Sequence, residues 1–196
     1  KHLFEDPPAL SEALPAPLQR GLGSVLGNAL GKRMRDHGVD LRCSVAVAGF
    51  EATGEGDARA LTGVRLTSGE VIPAEVCVVG IGAVPNVEWL AGSGLTLDDG
   101  VVTDAHCRAA DGVYAIGDVA RVHNPLFGES MRLEHWSNAV EGARAAVDHL
   151  LSPAEAAPYA HVPSFWSDQF GVKLQVAGRP RGDDELVFAA GSADTE

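Results

Sequence analysis

Residues 75–80 read Glu-Val-Cys-Val-Val-Gly, an apolar run without polar alternation. A strand with one wet face alternates apolar and polar residues, whereas a strand covered on both faces does not. The run therefore predicts a buried strand, ending at Gly80-Ile81-Gly82. Such a strand belongs in a buried sheet, of the kind found in the α/β class. A length of 196 residues allows one ordinary domain or parts of two.

The remaining pattern is compatible with that class. Pro7, Pro8, Pro15 and Pro17 exclude a helix near the start, which reads as linker, loop or junction. Leu18, Leu22, Val25, Leu26, Ala29, Leu30 and Met34 recur at helical spacing and predict a helix over 18–37. Arg33 and Arg35 suit its C-terminal end, and Gly38 its cap. Short strands are expected over 39–42, 44–50, 61–67, 113–116 and 173–177, with Val101-Val102-Thr103 entering after the turn Asp98-Asp99-Gly100. A short helix is expected over 87–93 and a longer one over 137–151, stopped by Ser152-Pro153. Residues 154–163 read as an Ala/Pro linker.

Composition removes several function classes. With 15 Lys+Arg against 27 Asp+Glu the net charge is −12, the opposite of a nucleic-acid footprint. No apolar run approaches the ~20 residues of a membrane helix. Cys43, Cys77 and Cys107 are far apart, so no CxxC zinc or dithiol motif is encoded. No metal-ligand set stands out. No apolar leader is visible, and a cytoplasmic protein is expected. Gly21, Gly23 and Gly27 mimic a dinucleotide loop, but the third glycine is one residue late and no strand precedes it. Close packing of a helix is the better reading.

Four patterns occur in one order: Val79-Gly80-Ile81-Gly82-Ala83-Val84-Pro85-Asn86, Tyr114-Ala115-Ile116-Gly117-Asp118, Leu133-Glu134-His135-Trp136-Ser137-Asn138-Ala139, and Phe165-Trp166-Ser167-Asp168-Gln169-Phe170. Together they resemble the FAD-dependent NAD(P)H:ferredoxin reductases of the glutathione-reductase structural class, near the putidaredoxin and rubredoxin reductases. The resemblance covers about residues 12–177. It implies parts of two Rossmann-like FAD- and NAD(P)-binding domains and the start of an α+β interface domain. The implied boundaries are 1–10, a linker or displaced FAD-domain segment; 11–92, the later NAD(P) domain; 93–153, a returning FAD segment; and 154–196, the interface domain.

The resemblance also assigns roles. Asp118 would accept a hydrogen bond from a ribityl hydroxyl of FAD, with Gly117 allowing close backbone approach; alone, Gly-Asp is ordinary turn chemistry. Gly80, Ile81 and Gly82 would line the nicotinamide-side ribose, although alone they read as a tight turn. Glu134 would accept from the carboxamide, or else be a helix-start acid stabilised by the dipole. Trp136 would offer backbone contact to the flavin, and Trp166 would lie beside flavin and nicotinamide, unless it is simply a core aromatic. Glu12 would accept from the adenosine ribose and repel a 2′-phosphate, favouring NADH over NADPH; it stands equally as a surface glutamate. A strand should precede Glu12, yet Pro7-Pro8-Ala9-Leu10 stands there. His135 reads as structural, because the cofactors carry the chemistry and no protein base is required.

The family is roughly twice this length, and its two G-x-G-x-x-G loops are absent from the sequence. As a free chain it would bind FAD weakly or not at all, lacking the pyrophosphate site, and would be inactive alone. The function implied is electron transfer from NADH through FAD to a small ferredoxin, with a rubredoxin second and a homodimer permitted. Arg121, Arg179 and Arg181 are candidate dock cations. The alternative is a truncated, cofactor-free binding or dimerisation module.

Overall fold

The computed structural model describes residues 8–181 and 184–192, so most of the expected 1–10 linker lies outside the described residues. The fold is mixed α/β. It divides into two compact units, one spanning Lys1–Gly80 and Pro180–Glu196, the other Ile81–Arg179. No helix among the described residues is long and apolar enough to cross a membrane.

In the first unit, β1 (Ala9–Glu12) pairs in parallel with β2 (Asp40–Cys43) through the connecting helix α1 (Gln19–Asp36). The strand before Glu12, which the prolines argued against, is therefore present. Pro8 sits just ahead of it and supplies only its carbonyl, which accepts from the Asp40 N–H at 3.1 Å. Proline is tolerated at the first residue of a strand because no ladder donor is lost there.

Helix α1 breaks locally at Gly23, whose φ of 75° is non-helical. Beyond the break its buried glycines form a packing face. A Cβ at Gly27 would stand 2.8 Å from the Pro17 carbonyl oxygen, and one at Gly31 would stand 3.1 Å from Leu41 Cδ2. The glycine-rich run is thus a close helix contact, as expected.

Strands β3 (Val47–Thr53), β4 (Ala60–Leu66) and β5 (Val71–Pro73) form an antiparallel meander in that order. Arg42 bridges Asp40 at 2.9 Å and Glu70 at 2.6 Å. These two acceptors hold its guanidinium firmly charged.

The run 75–80 departs from expectation. It is extended without strand pairing, and Val78 is 91 % exposed. An apolar strand is only as buried as the layers on its two faces, and those layers are not among the described residues.

In the second unit, β6 (Val101–Thr103), β9 (Ala120–Asn124) and β10 (Glu129–Arg132) form a sheet ordered β10-β9-β6, with β6 and β9 parallel. Two hairpins accompany it: β7 (Arg108–Ala110) with β8 (Val113–Tyr114), and β11 (Ser164–Gln169) with β12 (Val172–Ala177). The expected strand over 113–116 is only two residues long. It gives way to a single 3₁₀ turn at Gly117–Val119. The expected helix over 87–93 is likewise one 3₁₀ turn, Glu88–Leu90.

Helix α2 (Trp136–Leu151) matches its expectation and buries Gly142 and Ala146 against the core of Val101, Cys107, Ala115, Ala120 and Val122. Tyr159 joins that core, so the segment 154–163 is docked rather than a free linker. Cys107 is fully buried, and burial with Asp104 nearby pushes its thiol up to about 11.

Gly100 closes the turn that leads into β6. Its φ is 116°, and a Cβ there would collide with the Val119 carbonyl oxygen. Gly112 also has positive φ, 70°, but faces open space. Gly100→Ala should cost about 2–3 kcal/mol in urea unfolding, and Gly112→Ala only about 1 kcal/mol.

Candidate functional site

Three of the four segments singled out by sequence come together in the second unit. The backbone turns at Gly117, φ 67°, where a Cβ would lie 3.4 Å from Ala139 in the first turn of α2. That contact holds the Gly117-Asp118 turn against the start of the helix. The Asp118 side chain is exposed and accepts no hydrogen bond from the described residues.

The start of α2 is equally open. Its first intrahelical bond runs from the Ala139 N–H to the His135 carbonyl at 3.2 Å, and no side chain caps the end. The N–H groups of the first turn therefore have no intrahelical acceptor, with the positive end of the helix dipole behind them. Trp136, at 73 % exposure, stands at this end.

Strand β11 comes to the same place. Ser137 Oγ donates to the Ser164 carbonyl at 3.3 Å, and the His135 and Phe165 rings lie 5.5 Å apart. Trp166 follows on that strand at 56 % exposure. An isolated tryptophan is usually a core residue; this one is not.

Glu134 is fixed by a residue the sequence reading missed. Arg132 Nη1 donates to Glu134 Oε1 at 2.7 Å and to the Asp118 carbonyl at 3.2 Å, while Nε donates to Asp99 Oδ1 at 3.2 Å. Nη2 reaches the Ala83 carbonyl, next to Gly82, at 3.5 Å. The Arg132 side chain is only 12 % exposed. Its hydrogen bond to Glu134 and the nearby Asp99 hold the guanidinium charged. One sequence signal was available: a lone cation closing an otherwise apolar and hydroxyl stretch, Ser130-Met131-Arg132, two residues before Glu134.

Two predicted positions are separate from this cluster or only partly defined by it. Ile81 and Gly82 are exposed, Ile81 at 90 %, and Gly82 has a φ of 100° that favours glycine. A Cβ at Gly80 would meet nothing within 4 Å. Glu12 ends β1 in the first unit, where its Oε1 accepts from the Leu14 N–H at 2.9 Å. Of the proposed dock cations, Arg121 is paired with Asp98 and Arg179 with Glu129, each at 2.6 Å.

The second unit's arrangement fits a flavin. The open helix end offers donors to ring carbonyls, Asp118 offers an unengaged acceptor to ribityl hydroxyls, and the glycine turn lets a ligand reach main chain. Trp136 adds exposed aromatic surface at the helix start.

His135 lies among these groups. Burial, and His161 nearby, lower its pKa, while Asp118 and Glu134 pull the other way. Its Nδ1 is buried with no hydrogen-bond partner among the described residues.

The sequence matches the pyridine nucleotide-disulphide oxidoreductase family over residues 9–143 and the reductase C-terminal family over 164–196. It is 40% identical to rhodocoxin reductase of Rhodococcus erythropolis over 185 residues, covering 94% of this chain and 42% of that protein. Among solved structures, a ferredoxin reductase from Rhodopseudomonas palustris superposes with a TM-score of 0.82 at 35% identity, over 94% of this chain and 44% of that one. The covalent putidaredoxin reductase–putidaredoxin complex gives 0.85 at 31% identity, over 95% and 44%. The chain thus spans less than half the length of these relatives.

A histidine held neutral by burial makes the fold sensitive to acid. With its folded pKa below the ordinary 6.5, the unfolded chain takes up the proton first, so this stability is lost as pH falls below 6.5. His135→Gln should flatten the decline in Tm between pH 7.5 and 5.5. An unchanged slope would assign that decline to other groups.

Proposed function

The chain belongs to the pyridine nucleotide-disulphide oxidoreductase family, and from that premise we propose that it carries the cofactor-facing segments of a reductase. That enzyme passes electrons from NADH through FAD to a small ferredoxin-type iron–sulfur protein of an oxygenase system. The observation that carries this reading is the Gly117-Asp118 turn packed against the uncapped start of α2, with Glu134 tied to that turn through Arg132. Residues 11–92 are assigned to the NAD(P) domain, 93–153 to the FAD domain and 154–196 to the interface domain.

Bound FAD would supply acceptance of one hydride, an electron pair with its proton, and release of the electrons one at a time. The chain's own groups orient and hold. Asp118 accepts from the ribityl chain. The N–H groups of α2 and the Trp136 backbone meet the ring. Glu134, aimed by Arg132, accepts from the nicotinamide carboxamide, while Gly80, Ile81 and Gly82 line the ribose. Trp166 covers the outer side of that site. Glu12, at the carboxyl end of a parallel strand, would accept the ribose hydroxyls and repel a 2′-phosphate, which would favour NADH.

Ferredoxin is preferred to rubredoxin on the resemblance, and a solved relative is itself a complex with putidaredoxin. A disulfide substrate finds no support here. Cys107 is buried with its thiol held protonated, and Cys43, Cys77 and Cys107 are all unbonded.

The test is the visible spectrum of the purified protein, followed by FAD titration read by flavin fluorescence. Weak FAD binding is expected, because the pyrophosphate loops are absent from the sequence, and Asp118→Ala should weaken it about 10-fold to 100-fold further, the worth of a charge-assisted hydrogen bond. An Asp118→Ala variant with unchanged affinity would overturn the reading, and a wild type that binds no FAD would favour the cofactor-free module.

A further inference from the structure

The guanidinium of Arg132 uses all three of its nitrogens. Nε is bound to Asp99, Nη1 to Glu134 and the Asp118 carbonyl, and Nη2 to the Ala83 carbonyl. These acceptors come from four places: the turn before β6, the segment leading into α2, the Gly117-Asp118 turn and the Gly82-Ala83 loop. The first three are within 3.2 Å. The fourth, at 3.5 Å, is the weakest.

We propose that Arg132 is a positioning residue that locks the nicotinamide-facing groups to the flavin-facing turn. Its planar fork fixes the Glu134 carboxylate and the Ala83 carbonyl relative to Asp118. It touches Asp118 only through the backbone carbonyl, so the Asp118 carboxylate stays free for ligand. The clamp therefore acts on how nicotinamide is oriented, not on whether flavin is held. What it serves rests on the reductase reading above; the clamp itself rests on geometry alone.

A point charge cannot replace it. Lysine has one nitrogen and no planar fork, so it can satisfy Glu134 or Asp99 but not four acceptors in four directions. That makes lysine the informative substitution. Charge neutralisation alone would be rescued by Arg132→Lys, whereas clamping would not.

The first measurement is hydrogen exchange on the 196-residue chain without nucleotide, comparing wild type with Arg132→Lys, Arg132→Met and Asp99→Asn. The reporters are the amides of Asp98, Val102 and Ala120, which donate to the Gly100, Thr96 and Gly117 carbonyls. In both Arg132 variants all three should exchange about tenfold faster, together, as a locally opened unit does. Asp99→Asn keeps the fork and loses one charged leg, so it should give a smaller change of the same pattern. Far-UV circular dichroism confirms that each variant folds; if Arg132→Met does not, Asp99→Asn and Arg132→Lys decide. Full protection in Arg132→Lys, or independent changes at the three amides, would overturn the clamp.

The second measurement uses the FAD-loaded protein. Arg132→Lys should keep FAD affinity within about twofold, while the anaerobic rate of flavin bleaching by NADH falls about 10-fold to 100-fold, the cost of misplacing a reactant by an ångström. A purely structural role would lower flavin affinity and bleaching together. If wild type takes up no flavin, the cofactor-free module is favoured, and the exchange comparison still decides the clamp.

Discussion

The second unit depends on a buried hydrogen-bonded pair. Tyr159 and Asn138 are both almost fully buried, and the phenol donates to Asn138 Oδ1 at 2.8 Å. Asn138 Nδ2 in turn donates to the Leu133 carbonyl at 3.0 Å. Three separate pieces of chain are thereby fixed: the first turn of α2, the residue after β10, and the segment beyond α2. Burial pushes the phenol's pKa up, so it remains a donor at any working pH. A buried amide that lost this partner would cost about 1–3 kcal/mol, which is why an Ala/Pro-rich stretch can be held so firmly. Asn124 does the same further along, donating to the His161 carbonyl at 2.8 Å. Glu134, His135 and Trp136 lie between Leu133 and Asn138, so their placement is set by this pair.

Local chemistry was legible in the sequence, and layering was not. Helix α2 and the glycine face of α1 follow from residue spacing, because their partners are close in the chain. Strand β1 was missed since the prolines before it outweighed its four residues, and its existence depends on pairing with β2 across the whole of α1. The run 75–80 shows the reverse error. Its residues specify burial on both faces, but no residue in it can supply the layers that would bury it. Composition states what a strand requires; only the rest of the sheet delivers it.

The candidate site divides in the same way. The sequence singles out Gly117, Asp118, Glu134, Trp136 and Trp166 because each sits in a short run whose spacing survives without tertiary information. Arg132 is not singled out, because its importance comes from acceptors between two and forty-nine residues away, which no local pattern records. Its neighbour in strategy is Arg121, which reaches back to Asp98 at 2.6 Å. One acidic turn, Asp98-Asp99, thus holds two arginines of adjacent strands, and the positive φ of Gly100 lets that turn lie flat on the sheet.

This use of arginine bears on partner recognition. On a chain with net charge −12, most of the cations near the sheet are spent internally: Arg121 on Asp98, Arg132 on Asp99 and Glu134, Arg179 on Glu129. A paired arginine projects little field, so steering of an acidic ferredoxin by these residues would be weak at physiological salt. The groups whose titration the fold shifts also move away from reactivity. His135 is favoured neutral by burial, and Cys107 is held as the thiol. A site arranged in this way supplies orientation and leaves bond-making to whatever it binds, which is what electron transfer through a flavin asks of a protein.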